Sequence, residues 1–217
     1  MRDPELDHAG MAQRRENMMA AAYSLFTERN IESVTMAEIA KRAGCGNRTL
    51  HRYFDTKPAL VVAVAVWKWR NFSAENFRRR PEKDFAGMTA AEVFAFYLDS
   101  FIQLYKSHKD LLRFNQLFNI YIRAEHVDTQ VMRPYSALIS ELEQRFAIIT
   151  SKAAQDHTIR TDLPEQEVFS TTLHLMLAAV TRYAVGLIYI PENGFDAVKE
   201  LEVLKEALLL KYRPQET

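Results

Sequence analysis

The chain has 217 residues, 48% of them hydrophobic and 26% charged, and its 28 basic side chains balance its 28 acidic ones. This ordinary globular balance excludes a disordered or fibrous chain, and the zero net charge excludes a protein that binds polyanions over its whole surface. A single cysteine excludes an intramolecular disulfide framework and a cysteine zinc cluster. Because there are only six glycines and seven prolines, the composition favours helices over turn-rich β structure.

The sequence also lacks the patterns that direct a chain to a membrane. Its N-terminal stretch, "MRDPELDHAGMAQRRE", contains no apolar segment typical of a signal peptide. The longest uninterrupted apolar run, "ALVVAVAVW" at 59–67, is far shorter than the roughly 18 residues that span a bilayer. We therefore expect a soluble cytoplasmic protein.

Three helices are predicted before residue 56. Residues 1–11 are polar and are expected to be loosely ordered. From Ala12 to Arg29, apolar residues recur every three or four positions, which is typical of an amphipathic helix. The tetrapeptide "TMAE" at 35–38 predicts a capping box that opens a short helix at 36–43. The turn "GCG" then leads to a second short helix, at 47–53.

Six longer helices are predicted in the rest of the chain, one of them opened by a second capping box, "TAAE" at 89–92. They cover residues 58–80, 89–106, 109–124, 130–154, 164–190 and 195–212. The segment "PEKDFAG" at 81–87 is expected to be a linker. Because no alternation typical of strands occurs, the sequence predicts an all-α chain of about nine helices.

The two short helices and the glycine turn between them match a helix-turn-helix, whose second helix enters the major groove of DNA. Between Ile39 and Pro58, five basic residues face one acidic residue, a local charge of +4 in a neutral chain. They are Lys41, Arg42, Arg48, Arg52 and Lys57, against Asp55. Such a patch supplies sequence-independent DNA affinity by neutralising phosphates. The charge cluster alone is equally compatible with a solvated polar helix in a helical bundle.

Helical spacing divides the second short helix into faces. Leu50 and Phe54, four residues apart, are expected to face inward, while Arg48 and Arg52 share a different face. Because arginine can donate two hydrogen bonds to guanine, we expect Arg48 and Arg52, with Asn47 at the helix start, to read base edges. The predicted contacts to the DNA backbone are Thr49, His51, Tyr53 and Lys57, and Thr35 is expected to belong to the same DNA-binding surface.

Residues 14–60 closely resemble the N-terminal domain of the tetracycline-repressor (TetR) family of bacterial regulators. The resemblance lies in "AAYSLFTERN" at 21–30 and in "VTMAEIAKRAGCGNRTLHRYFDTKPAL" at 34–60. It implies a helix-turn-helix domain at 12–56 and a ligand-binding and dimerisation domain at 57–217. It also implies a repressor that a small ligand releases from DNA, through a movement of helix 58–80 that changes the spacing of the two DNA-binding domains in a dimer.

Several residues depart from the usual pattern of the family. Gly46 stands where a serine or threonine N-cap is common, and Arg48 stands where a small residue is frequent. His51 replaces a frequent tyrosine, and Asn30 replaces a common glycine. These changes leave the predicted fold intact, but they prevent the DNA sequence of the operator from being predicted by analogy.

Aromatic residues cluster on three successive long helices, from Trp67 to Tyr121. For each aromatic residue taken singly, packing in an apolar core is the commoner role. The TetR resemblance implies a ligand pocket between these helices, and aromatic walls with a few polar groups suit a small hydrophobic or amphipathic ligand. The candidate ligand-binding residues are Tyr97, Phe101, Phe118, Tyr121 and His174.

The helix predicted at 164–190 is apolar almost all round from Leu173 onward, so it is expected to be buried on more than one side. It can face the core on one side and a partner on the other. Together with the helix at 195–212, it predicts a four-helix homodimer interface, which is also the arrangement that the TetR resemblance implies.

Neither a catalytic nor a metal site is predicted. The six histidines are scattered and no two are four residues apart. No phosphate-binding loop, nucleophile elbow or zinc-protease motif occurs. Cys45 is expected to be a small buried turn residue. We therefore predict a regulator that is not an enzyme and needs no cofactor. The alternative is an all-helical small-molecule-binding protein or enzyme with a vestigial DNA-binding module.

Overall fold

The structure is a computed structural model, and it describes residues 4–79, 82–189 and 194–214. These residues form nine α helices and one 3-10 helix, and they contain no strand. The helices are α1 (Pro4–Arg29), α2 (Met36–Arg42), α3 (Asn47–Tyr53), α4 (Lys57–Arg79), α5 (Ala90–Ser107), α6 (Lys109–Ala124), α7 (Thr129–Asp156), α8 (Glu165–Val185) and α9 (Ala197–Lys211), with the 3-10 helix at Glu82–Gly87. The predicted all-α fold is therefore confirmed.

The contacts within the chain group it into two compact units. Unit 1 consists of Met1–Asn71 and Phe114–Leu138, and unit 2 consists of Phe72–Arg113 and Ile139–Thr217. The unit boundaries fall inside α4, α6 and α7. The predicted division into a domain at 12–56 and a domain at 57–217 is a division by function, and it stays a prediction. Residues 4–11, predicted as part of a loose N-terminus at 1–11, belong to helix α1.

The core of unit 1 is built from the apolar stripes of its helices. On α1, the positions at three- and four-residue spacing are buried, and Phe26 is fully inaccessible to solvent. The Phe26 ring stacks on Phe114 of α6 at a centroid distance of 6.3 Å. Leu50 of α3 and Leu60 of α4 are also fully buried. Helix α2 packs against α1 and α3, so these short helices are stabilised by packing rather than by their own length.

Unit 2 is organised around α5, which packs against α8 and α9. Phe94 of α5 makes edge-to-face contacts with Phe146 of α7 and Tyr212, at centroid distances of 5.9 and 5.6 Å. Lys152 of α7 donates hydrogen bonds to the carbonyl oxygens of Ala86 and Met88, at 3.2 and 2.7 Å. These bonds tie the 3-10 helix, in the segment predicted as a linker, to α7.

Two helix ends lie more than two residues from their predicted positions. Helix α1 begins at Pro4 rather than near Ala12, because proline is accepted in the first turn, where its missing N–H has no partner to lose. Helix α8 ends at Val185 rather than at Ile190, which lies outside the described residues. Gly186 follows with φ 115°, a backbone conformation that side chains rarely adopt. Because apolar residues continue past Gly186, the hydrophobic pattern of the sequence did not indicate that α8 ends at Val185.

Among the described residues, α8 has the length and apolar composition of a membrane-spanning helix, and 39% of its most apolar window is buried in the protein. A core helix of a soluble protein meets the same two criteria, so this is weak evidence for a membrane span.

Candidate nucleic-acid interface

The helix-turn-helix begins with the predicted capping box. The Thr35 hydroxyl accepts a hydrogen bond from the Glu38 N–H at 3.3 Å, and the Glu38 carboxylate accepts one from the Thr35 N–H at 2.8 Å. The backbone bond from Thr35, with further bonds from Arg29 and the Thr35 hydroxyl, lowers the pKa of Glu38 to about 2. Since the pKa is lower in the folded state, this stabilisation is present above the ordinary value of 4.5 and is lost as the pH falls towards 2.

The turn between α2 and α3 depends on one glycine. Helix α2 is capped by Ala43, and Gly44 then takes φ 67°, the left-handed conformation in which a side chain is strained. Gly46 is the N-cap of α3 and offers no side-chain hydrogen bond. The recognition helix therefore lacks a side-chain cap, as its sequence predicts. Its position depends instead on Leu50 and Phe54, which are 0% and 3% exposed.

The opposite face of α3 is open to solvent. Asn47, Arg48, His51 and Arg52 are exposed, and Thr49 and Tyr53 are half-buried. The Arg52 guanidinium lies 5.9 Å from the centre of the Tyr53 ring. In the part of the chain that the structure describes, the Arg48 side chain has no hydrogen-bond or ion-pair partner. The six residues predicted on α3 thus lie together on one short helix, with the two arginines one turn apart on its exposed side.

Two of the five cations of this region are already engaged within unit 1. The Arg42 guanidinium donates hydrogen bonds to both oxygens of Glu28, at 3.1 and 3.2 Å, and to Ser24 Oγ at 3.0 Å. The Lys57 ammonium donates to the Glu32 carbonyl at 3.1 Å. It also lies 5.5 Å from the centre of the Tyr121 ring.

Burial lowers the pKa of Lys57, and nearby carboxylates raise it by a smaller amount. Of the five predicted cations, Lys41, Arg48 and Arg52 are therefore the exposed ones without a carboxylate or carbonyl partner in the described residues.

Two predicted contact residues make local hydrogen bonds of their own. The Thr35 hydroxyl donates to Glu38 at 2.8 Å, so its hydrogen is used within the capping box. The His51 Nδ1 lies 3.2 Å from the carbonyl oxygen of Asp55, across the last turn of α3. Both side chains remain exposed.

The helix-turn-helix formed by α2 and α3 agrees with a comparison of the sequence with known protein families. Residues 18–64 match the family described as bacterial regulatory proteins, tetR family. Over this segment the chain is similar to the regulators of that family. The match covers α2, α3 and parts of α1 and α4, and it confirms the resemblance seen at residues 14–60.

Curated TetR-like relatives are similar over different lengths. An uncharacterised HTH-type transcriptional regulator of Mycobacterium tuberculosis is 43% identical over 60 residues, which are 28% of this chain and 30% of the relative. The chain thus matches less than a third of the length of that relative. The HTH-type transcriptional repressor KstR2 of Rhodococcus jostii is 23% identical over 185 residues, 84% of this chain and 86% of the relative.

Solved structures extend the similarity in fold to nearly the whole chain. The transcriptional regulator FadR of Bacillus subtilis, in complex with stearoyl-CoA, superposes with a TM-score of 0.68 at 18% identity, covering 89% of this chain and 97% of FadR. The ketosteroid transcriptional regulator KstR2 of Mycobacterium tuberculosis has a TM-score of 0.57 at 15% identity, covering 93% and 96%. At these identities the similarity shows a shared fold.

The five candidate ligand-binding residues lie in different places. Phe118 and Tyr121 are buried in unit 1, where burial raises the pKa of Tyr121 to about 12. Tyr97 and Phe101 are half-buried on α5 in unit 2. His174 is exposed on α8, where its Nδ1 lies 3.3 Å from Ser170 Oγ. Whether any of them binds a ligand stays a prediction.

Tyr97 lines a cavity of about 470 Å³ within unit 2. Its lining is Phe85, Tyr97, Glu141, Gln144, Arg145 and Ile148. The Tyr97 hydroxyl donates to the Arg145 carbonyl at 3.0 Å, and the Arg145 guanidinium donates to Ser73 Oγ at 2.6 Å. Sequence reasoning followed the aromatic residues and missed Arg145 and Glu141. In the sequence, Glu141 directly precedes Leu142 and Arg145 directly precedes Phe146, and both apolar residues belong to the stripe of α7. This proximity to the stripe was the sequence signal that could have identified the two polar residues.

No group of three or more histidine, cysteine, aspartate or glutamate side chains suited to a metal ion occurs within residues 4–79, 82–189 and 194–214. Cys45 is a free thiol and is half-buried in the α2–α3 turn. The sequence predicts a small buried residue here, and the structure places Cys45 in the turn but leaves it partly accessible to solvent.

Proposed function

We propose that this chain is a sequence-specific DNA-binding transcriptional regulator, a repressor that leaves a palindromic operator when a small hydrophobic or amphipathic ligand binds. The observation that carries the proposal is the division of α3 into a buried face with Leu50 and an exposed face with Arg48 and Arg52. Arginines in this position on a recognition helix can each bind guanine O6 and N7. The match to the TetR family over residues 18–64 supports the same function.

The free cations support affinity for the DNA backbone. Lys41, Arg48 and Arg52 are exposed on α2 and α3, and each phosphate that they neutralise releases a counterion. Arg42 has a different role in this proposal, because Glu28 already holds its guanidinium against α1. We expect Arg42 to position α2, and Arg48 and Arg52 to read the DNA sequence, with Asn47, Thr49, His51 and Tyr53 around them.

A homodimer would place two such helices on one palindrome. Helices α8 and α9 support this part of the proposal, because each combines buried residues with large apolar residues that are open to solvent. On α8, Leu175 and Val185 are 47% and 52% exposed, and on α9, Val203 and Leu210 are 64% and 65% exposed. Burying these side chains in a two-fold interface would be favourable.

The ligand is proposed from two indications. FadR of Bacillus subtilis, which shares the fold, was solved with stearoyl-CoA, and Tyr97 lines a cavity in unit 2. A ligand shifts the protein towards the conformation that it binds better, and by no more than its difference in affinity for the two conformations. The proposed DNA binding implies a cytoplasmic protein, and the proposal assigns it no catalytic activity.

The rival function is an all-helical small-molecule-binding protein or enzyme with a vestigial DNA-binding module. A gel-shift series with the purified full-length chain separates the two, using the DNA that flanks its own gene and a scrambled duplex of equal length. The proposal predicts a shift of the flanking DNA at concentrations that leave the scrambled duplex free. Equal behaviour of the two duplexes, together with tight binding of a small molecule, would support the rival.

A further inference from the structure

We propose that His51 contacts a DNA phosphate as an imidazolium, through Nε2, so that each subunit takes up a proton when it binds DNA. The inference rests on the proposed DNA-binding function and adds a chemical mode to one of its contacts. It starts from the position of the ring, which is exposed on α3 between Arg48 and Arg52.

The geometry fixes which ring nitrogen carries hydrogen. Nδ1 of His51 lies 3.2 Å from the carbonyl oxygen of Asp55. A carbonyl oxygen only accepts hydrogen bonds, so Nδ1 must be the donor in this contact, in the neutral ring as well as in the charged one. In the neutral ring the other nitrogen, Nε2, then has a lone pair and no hydrogen.

The phosphate oxygens of DNA are acceptors as well. A neutral His51 would therefore place the lone pair of Nε2 against an acceptor, which is unfavourable. A protonated ring places an N–H donor and a positive charge there, and a hydrogen bond between charged partners is about twice as strong as a neutral one. As long as Nδ1 keeps its contact with the Asp55 carbonyl, the contact to phosphate thus forms only if the ring gains a proton.

The charged groups around His51 favour this uptake on binding. On its own helix the charged neighbours of the ring in the sequence are Arg48 and Arg52, and the carboxylate of Asp55 follows in the next turn. Other elements of unit 1 carry further cations. Arg15 of α1 lies 4.9 Å from the centre of the Phe54 ring, Lys41 is exposed on α2, and Lys57 of α4 binds the Glu32 carbonyl. Phosphates supply the negative charge that this cationic region lacks.

One other contact suits the same orientation of the ring. A neutral Nε2 could accept a hydrogen bond from the amino group of cytosine or adenine in the major groove. That contact requires no proton, and it depends on the base. Proton uptake and its dependence on DNA sequence therefore distinguish the two modes, because phosphates are present in every duplex.

The test is isothermal titration calorimetry of the full-length chain at about pH 7.5, within the range where histidine changes charge. Each titration is run in two buffers of widely different ionisation enthalpy, such as Pipes and Tris, and the difference in heat gives the number of protons bound. Two duplexes are used, the flanking DNA of the gene and a scrambled duplex at low salt. We expect proton uptake with both duplexes.

His51→Tyr is the test variant, since its hydroxyl can donate to phosphate without a charge. We expect it to bind both duplexes without the proton uptake that His51 provides. The matched control is His157→Asn in unit 2, at an exposed position with φ 53° where asparagine is tolerated. The control should keep the full uptake of the unsubstituted protein.

A second measurement uses only the unsubstituted protein. Each proton taken up raises DNA affinity by up to about tenfold for each unit by which the pH is lowered, so uptake of one proton per subunit raises the affinity of a dimer by up to about a hundredfold. Equal affinity across pH ~6 to ~8, or equal proton uptake by His51→Tyr, would overturn the inference. Binding without proton uptake, together with a loss of affinity in His51→Tyr for the flanking duplex alone, would assign His51 to the bases instead. Loss of selectivity between the two duplexes, with uptake intact on both, would count against the proposed function and leave the role of His51 standing.

Discussion

The chain has two capping boxes with the same hydrogen bonds, one at the start of a short helix and one at the start of a long helix. In both boxes the threonine hydroxyl accepts from the glutamate N–H at 3.3 Å, and the carboxylate accepts from the threonine N–H at 2.8 Å in one and 2.7 Å in the other. The first opens α2, which has seven residues and buries two of them, and the second opens α5, which has 18 residues and buries six.

This difference shows how each region is stabilised. A helix of seven residues is far below the length at which isolated helices are stable, so α2 depends on its cap and on a few contacts with α1 and α3. Helix α5 has enough buried apolar surface to be held by packing against α8 and α9. Local hydrogen bonds should therefore matter more for function in the DNA-binding segment than in unit 2.

The largest expected effect concerns the two exposed arginines. Arg48→Ala and Arg52→Ala should each weaken binding to the specific operator by roughly 1–3 kcal/mol, while binding to unrelated DNA changes little. Arg42→Ala is the matched comparison, because its guanidinium is held by Glu28. We expect it to leave the sequence preference unchanged. Fluorescence anisotropy on both duplexes measures these effects, and equal losses on all sequences would make Arg48 and Arg52 phosphate contacts.

A smaller effect is expected when the threonine of each capping box is substituted. Thr35→Ala and Thr89→Ala each remove an N-cap, and such a loss costs about 1 kcal/mol of stability. We expect only Thr35→Ala to weaken DNA binding as well, because only α2 positions α3. Thr35→Ser keeps the hydroxyl and serves as the control. Urea unfolding and anisotropy on the same three variants measure both quantities, and an equal loss of DNA affinity in Thr35→Ala and Thr89→Ala would remove the distinction between the regions.

The smallest effect concerns Lys57, which the sequence predicts as a contact to the DNA backbone. Because its ammonium is bound to the Glu32 carbonyl and lies over Tyr121, we expect Lys57→Met to leave the salt dependence of DNA binding almost unchanged. Lys41→Met should reduce the slope by about 0.9 for each phosphate that Lys41 contacts. DNA affinity measured over a series of salt concentrations gives both slopes. A reduction by Lys57→Met as large as that by Lys41→Met would restore the predicted role of Lys57.

The sequence predicts the DNA-binding segment well because its determinants are local. The Thr35–Glu38 box, the Gly44 turn and the buried pair Leu50 and Phe54 each depend on residues within four positions of one another. Both the family and the bounds of α2 and α3 follow from them. The beginning of α1 and the end of α8 were missed, since one lies in a polar stretch and the other inside an apolar run.

The partners and the burial of each side chain could not be predicted from the sequence, because they depend on contacts between residues that are far apart in the chain. Arg42 and Arg48 look alike in the sequence, yet Arg42 is held by Glu28, 14 residues away. Arg145 reaches Ser73 across 72 residues. Nothing in the aromatic spacing distinguishes Phe118, buried in unit 1, from Tyr97, which lines a cavity in unit 2.

The most direct test of sequence-specific binding through α3 is selection of bound duplexes from random DNA with the purified full-length protein. We predict that the selected sequences share a palindrome, with guanines in each half-site that lose their enrichment in Arg48→Ala or Arg52→Ala. A selected pool with no common sequence, or a palindrome that is unchanged in both variants, would contradict it.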